Sequence, residues 1–202
     1  MYIPSAFRAD ARAALYDLIE RHGFGTFVTV IGGTPFASHL PFVLDRERGL
    51  LLGHVARANP HWRALDGGAE SLAVFQGPHG YVSPSWYTTG PAVPTWNYAA
   101  VHVYGAARAM DGEARLLDLL GRLVGQYETG RERPWAMDLP ADYLKKMLHG
   151  IVGFEMPIAR IEGKFKLSQN RSAEDRRGVM RELATGGPDE QALAEFMARY
   201  AP

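Results

Sequence analysis

Two periodicities alternate along this chain, and the places where one gives way to the other outline its elements. Leu15, Leu18 and Ile19 fall on one face at helical spacing, which predicts a helix from about Asp10, its N-cap, to Arg21, with Gly23 ending it. From Thr26 to Ile31 the pattern turns β-branched and aromatic, and Gly32-Gly33 is a hairpin signal. Pro35 to Leu44 reads as the returning strand, the charged stretch Asp45 to Gly49 as a second turn, and Leu50 to Val55 as a third strand. Turns this short join antiparallel neighbours, so a meander is expected rather than βαβ units.

Asn59-Pro60 has the form of an N-cap followed by proline at the first helical position, predicting a short helix to about Leu65. Ser71 to Gln76 reads as a fourth strand, Gly77 to Pro94 as a long loop rich in Pro, Gly and aromatics, and Ala99 to Ala109 as a fifth strand. Leu116, Leu120, Leu123 and Tyr127 recur at helical spacing, giving a helix from about Glu113 to Glu128. Leu144, Met147 and Leu148 suggest another after Pro140. Ile151 to Leu167 alternates as one last long strand, with Pro157 implying an edge or a bulge. Ser172 and Asp175 make a capping-box pattern for a helix to about Leu183, Gly186-Gly187-Pro188 breaks it, and a final helix runs from Asp189 to Tyr200. The sum is a mainly β fold with peripheral helices: six or more strands in a predominantly antiparallel barrel. Residues 1–170 are expected to form the barrel domain and residues 171–202 a helical segment packed on it, with no repeat or linker.

Composition narrows the function classes. The chain has 202 residues, 47% of them hydrophobic, and no apolar run approaches the roughly 20 residues that span a bilayer, so no membrane partner is expected. The start, Met1 to Ser5, lacks a secretory layout, and a cytoplasmic location is the expectation. Without cysteine there is no thiolate metal site, iron–sulfur cluster or cysteine nucleophile. With 22 basic and 22 acidic residues the net charge is zero, which argues against a surface built for nucleic acid. The exception is Arg160 to Arg181, where seven basic and three acidic residues leave an excess of +4, readable as a solvated helix face.

Leu52 to Trp62 carries the most chemistry. A strand ends, a capped helix begins, and Arg57, Asn59 and His61 lie at the junction, where free backbone N–H groups and a guanidinium suit a phosphate. The aromatics between Gln76 and Tyr98, joined by proline and glycine, can wall a planar ligand or cover a dimer interface. Seven histidines occur without HExxH, His-x-His or a carboxylate cluster, so no metal site is expected. No dinucleotide fingerprint, phosphate loop or GxSxG elbow is present.

Met1-Tyr2-Ile3-Pro4, Ser38-His39-Leu40-Pro41-Phe42, Gly53 to Trp62, Tyr81 to Tyr87, Val93 to Tyr98 and Lys166 to Arg171 together resemble the PaiB family, described as FMN-binding negative transcriptional regulators. The resemblance runs in order from Met1 to about Leu183. It implies an FMN-binding split β-barrel in which two subunits pack as a homodimer with flavin at the interface. The cofactor-binding set it implies is Ser38, His39, Leu40, Pro41, His54, Arg57, Asn59, His61, Trp96, Asn97, Tyr98, Lys166 and Gln169. The phosphate would lie near Arg57 and Asn59, the ring beside Ser38 to Phe42, and Trp96, Asn97 and Tyr98 on the wall or the partner side. No helix-turn-helix accompanies the regulator's name, so either the Arg160 to Arg181 segment touches DNA or the effect is indirect, and an indirect effect or an undescribed redox activity is favoured over sequence-specific DNA binding. The alternatives are an FMN-dependent oxidoreductase acting on a small-molecule substrate, a haem-handling relative ligating iron through His79 or His102, and a dimer that binds nothing.

Overall fold

The computed structural model describes residues 1–201. In chain order the first elements are β1 (Arg8–Ala9), α1 (Arg12–Arg21), β2 (Phe24–Ile31), β3 (Thr34–Pro41), β4 (Val43–Asp45) and β5 (Leu50–Ala56). A 3-10 helix (Pro60–Gly67) leads to β6 (Glu70–Val82), β7 (Thr95–Ala106), β8 (Arg108–Ala109), α2 (Glu113–Glu128) and α3 (Ala141–His149). The chain then forms β9 (Ile151–Pro157), β10 (Arg160–Lys166), α4 (Ala173–Ala184) and α5 (Pro188–Tyr200). The fold is mainly antiparallel β with peripheral helices, as the pattern predicts, and it separates into two compact units.

One unit comprises Tyr16–Phe75 and His102–Ile161. Its hairpin β2–β3 pairs over eight positions from Phe24↔Pro41 to Ile31↔Thr34, and β2 pairs β6 from Thr26↔Val74 to Val28↔Leu72. A second sheet runs β4-β5-β9-β8. The core is aromatic: Phe27 stacks on Phe154 at 4.8 Å, and Phe42 meets Phe27, Phe75 and Phe154 edge-on. Gly53 on β5 makes room for this stack, since a Cβ there would lie 2.7 Å from the Phe154 ring. On the other side of the four-stranded sheet, Leu119 and Leu123 of α2 close over Val43, Leu50 and Leu52.

The other unit comprises Met1–Leu15, Gln76–Val101 and the chain from Glu162 onward. Here β1 pairs β10 through Arg8↔Lys164 and Ala9↔Gly163. Gly163 is required by close approach, because a Cβ would lie 2.9 Å from the Ala9 backbone oxygen as well as 2.2 Å from Leu15 Cδ2. The helices α4 and α5 bury Val179, Leu183, Leu193 and Met197, and Phe165 packs edge-on against Phe196 and Tyr200.

Five expectations are corrected. The strand expected over Pro35 to Leu44 divides at Phe42, whose N–H bonds Gly23 O, so β3 stays with β2 while β4 joins the second sheet and no continuous meander forms. The last long strand divides likewise: Ile158 N–H goes to Gly49 O and Ala159 N–H to Tyr104 O, sending β9 and β10 to different sheets. Gly77 does not begin the loop, because β6 keeps its alternating burial to Val82, and Pro78 lies beyond the stretch paired with β2. The strand expected over Ala99 to Ala109 divides as well, β7 ending at Ala106 and β8 joining the second sheet, so the described residues hold ten strands in two sheets. Ser172 Oγ does cap α4 by accepting from Asp175 N–H, but the Asp175 carboxylate accepts from Thr88 and Thr89 rather than completing a capping box.

Candidate functional site

In the unit containing β2 to β5, the sequence after Ala56 forces a sharp exit from the strand. Asn59 is extended and its side-chain oxygen accepts from His61 N–H at 3.0 Å, starting the 3-10 helix at Pro60 as the spacing predicts. The other end of that amide donates from Nδ2 to Ser38 Oγ at 2.9 Å, and Ser38 Oγ lies 2.9 Å from His61 Nδ1. Three polar side chains thus converge from β3 and the strand-to-helix junction. His61 is completely buried, stacked on Phe27 at 4.7 Å and met edge-on by Phe36 at 5.1 Å. Burial holds its imidazole below the ordinary histidine value, so it is neutral at pH 7, and its Nε2 has no hydrogen-bond partner.

Arg57 is exposed beside this network. Its Nε donates to His149 O at 2.7 Å and Nη2 to Ile151 O at 3.0 Å, while Arg57 O accepts from Trp62 Nε1 at 2.9 Å. The guanidinium is therefore fixed in place rather than free to swing. His39, on the outer side of β3, places Nδ1 3.0 Å from Thr26 Oγ1, and Leu40 is buried. Pro41 and His54 line a separate cavity under α2.

The remaining candidates gather in the other unit. Lys166 Nζ donates to Thr95 Oγ1 and to Trp96 O, and burial, aided by Lys164 and Arg171, pulls its ammonium below the usual lysine value. Gln169 Oε1 accepts from Leu167 N–H at 2.7 Å and its Nε2 donates to Phe165 O, closing the turn after β10. That turn contains Ser168, a non-glycine residue at φ 63°, a conformation that costs energy and needs support. Asn97 gives the support: it is fully buried and donates from Nδ2 to Ser168 Oγ at 2.8 Å, with Oδ1 unpartnered. Tyr98 lies 5.2 Å from Lys164 Nζ, and Trp96, about half exposed, packs against His79 and Tyr81.

The thirteen candidates thus form two clusters and one separate pair. His61 and Asn97 have no surface of their own, and each meets its surroundings through a hydrogen bond, His61 with Ser38 and Asn97 with Ser168. Sequence reasoning passed over Ser168 and the Asp175 carboxylate. The latter is buried and accepts from Thr88 N–H and Oγ1 and from Thr89 N–H and Oγ1, which holds its pKa down to about 2. Nothing local to Asp175 distinguishes it from a helix-start acid. His79 and His102, the haem candidates, place Nδ1 3.2 Å from Gln76 Nε2 and 3.4 Å from Tyr104 OH respectively.

Comparison with known proteins bears on the family and the fold. Residues 1–160 match the family model described as "Putative FMN-binding domain". The chain is 37% identical to the protease synthase and sporulation protein PAI 2 of Bacillus subtilis, covering 98% of this chain and 96% of that one. It is 33% identical to a protein of Emericella nidulans, covering 94% and 92%. Among solved structures, the flavocytochrome Anf3 from Azotobacter vinelandii aligns with a TM-score of 0.62 at 16% identity, over 85% of this chain and 75% of that one. The FAD and haem binding protein from Mycobacterium smegmatis aligns with a TM-score of 0.60 at 19% identity, over 89% and 80%. The shared fold is the flavin-binding split barrel.

Proposed function

The chain belongs to this FMN-binding domain family and FMN is its cofactor, and from that premise we propose that it works as a homodimeric, cytoplasmic flavoprotein with a PaiB-type regulatory role. The observation that carries the reading is the Ser38–Asn59–His61 network beside the anchored Arg57 guanidinium. A hydroxyl, an amide and a fixed cation at the end of a strand fit a phosphate. Ser38, His39 and Leu40 then border the ring, with His61 setting the Ser38 hydroxyl. Trp96, Tyr98 and Lys166 contribute from the partner subunit, with Asn97 and Gln169 holding their turn. Bound FMN supplies hydride or electron transfer, and the protein supplies position and electrostatics.

Regulation is proposed to be indirect. In the basic segment, Arg160 lies 3.5 Å over the Tyr104 ring, Arg171 lies 4.6 Å from that of Tyr87, and Arg176 donates to Arg171 O. These cations are engaged within the fold rather than arrayed for a phosphate backbone. Mobility shift with random duplex DNA at physiological salt should show no complex.

Titration with FMN, followed by visible absorption, tests the cofactor assignment: near one flavin per chain is expected, and no spectral change would overturn it. Mixing tests the dimer. Asn59→Ala and Lys166→Ala should each lose flavin, and co-refolded heterodimers should regain it at one of their two sites. No recovery would place all the contacts in one chain. A second reading, an FMN-dependent oxidoreductase acting on a small molecule, requires turnover with a reduced nicotinamide.

A further inference from the structure

Beneath the C-terminal half of α2 lies a cavity of about 270 Å³ that the flavin reading leaves unused. Its lining includes Pro41 from the end of β3, His54 from β5, Leu120, Val124 and Tyr127 from α2, and Trp135 from the segment that follows. The volume is at the small end of ligand pockets, room for a molecule of one ring or two. Its wall is apolar and aromatic, and it contains no lysine or arginine. The single acid, Glu128, is already engaged: Oε2 accepts from Trp135 N–H at 2.8 Å and Oε1 lies 3.5 Å from Arg131 Nε.

Besides the Tyr127 hydroxyl and the Trp135 indole N–H at the rim, the polar group in the wall is the His54 imidazole. Its Nδ1 has no hydrogen-bond partner and is closed to water as the wall now packs, so a ligand hydroxyl or amide reaches it only as the imidazole turns toward the cavity. Burial also holds this imidazole below the ordinary histidine value, so it is neutral at pH 7. A neutral imidazole in an aromatic wall favours an uncharged ring carrying one hydroxyl or amide. The same wall disfavours an anion, which would enter without a cation to meet it. Tyr127 and Trp135 are about half exposed, so a ring entering here covers aromatic surface now in water. The phosphate-bearing flavin is a poor occupant for the same reason as any other anion.

We propose that this cavity is a second binding site, distinct from the flavin cradle, for an uncharged single-ring aromatic molecule with one hydrogen-bonding group, held by His54 and the Tyr127–Trp135 rim.

The probes are 4-fluorophenol and its charged counterpart 4-fluorobenzoate, each titrated into FMN-loaded protein and followed by fluorine NMR linewidth. The phenol should broaden on binding, and the benzoate should bind at least about tenfold more weakly. His54→Phe keeps the volume but removes both nitrogens, and should weaken the phenol about five- to tenfold. Val124→Trp fills the cavity and should abolish phenol broadening while leaving FMN loading intact. Should that variant fail to fold, Tyr127→Ala on the rim should weaken the phenol about threefold. Equal binding of phenol and benzoate, or phenol binding indifferent to these substitutions, would overturn the proposal. Loss of FMN from a folded Val124→Trp protein would also overturn it, by making the cavity part of the flavin site.

Discussion

The two polar clusters solve opposite problems. Around Ser38, side chains bond mainly to one another, and the network ends in an imidazole pressed between aromatic rings. Around Lys166, side chains bond mainly to backbone: Trp96 O, Leu167 N–H and Phe165 O absorb the donors and acceptors of Lys166 and Gln169. The first arrangement fixes the direction of one hydroxyl and depends on the surrounding aromatic core. The second fixes a turn, including the left-handed Ser168, and depends on the local chain. A ligand cradle needs both, because a donor is useful only if it is aimed and a wall only if it stays put.

The sharpest way to break the comparison is Phe27→Ala. It removes the ring that stacks on both His61 and Phe154, and should cost about 3–5 kcal/mol in thermal or urea unfolding. Gln169→Ala removes only two hydrogen bonds to nearby backbone, and should cost far less. Next in size, Asn97→Ala should destabilise by about 1–3 kcal/mol, since Ser168 loses its partner at a strained φ. Asn97→Asp restores shape but buries a charge, and should be worse. Ser38→Ala should cost about 1–2 kcal/mol and reduce flavin affinity as well, because Asn59 Nδ2 and His61 Nδ1 both lose it. Comparable loss of affinity from Ser38→Ala and Ser168→Ala would erase the distinction between aiming and holding.

Acid offers the gentlest test. His61 has a lowered pKa in the folded chain, so the unfolded state binds more protons just below pH 6.5, and the histidine's contribution falls as pH drops below that value. Asp175 is also lowered, from 3.8 to about 2, so its contribution is complete above about pH 4 and is lost as pH falls toward 2. Hydrogen exchange by segment should therefore show residues 36–62 loosening at a higher pH than residues 83–94. Simultaneous loosening would mean that the His61 and Asp175 networks share one acid response.

Much of this was legible in the residue order. The α2 boundaries match the expected Glu113 to Glu128, and the Asn59 cap forms as its dipeptide indicates, because both depend on neighbours within four residues. The changes of sheet at Phe42 and after Pro157 were not legible. Alternation continues through both points, and the choice of sheet is made by distant carbonyls such as Gly23 O and Gly49 O. Gly77 and Pro78 looked like a loop by composition, yet the burial of Phe75 and Val82 on either side keeps β6 extended. In the candidate site, Arg57 and Asn59 were readable as chemistry, whereas Ser38 entered only through the family resemblance. The complete burial of His61 and Asn97, and the separation of His54 and Pro41 from the others, are properties of packing that no local pattern encodes.

The hairpin that carries Ser38 also has a bearing on solubility. β3 is the last strand of its sheet, so one side of it offers a row of amides and carbonyls to any extended peptide that drifts past. Pro35 removes one amide from the strand near the exposed tip, and the tip itself, Gly32-Gly33, makes a tight left-handed turn. A chain with threonine in place of Pro35 would fold the same way, yet in concentrated solution it would be more inclined to recruit its own kind along that margin.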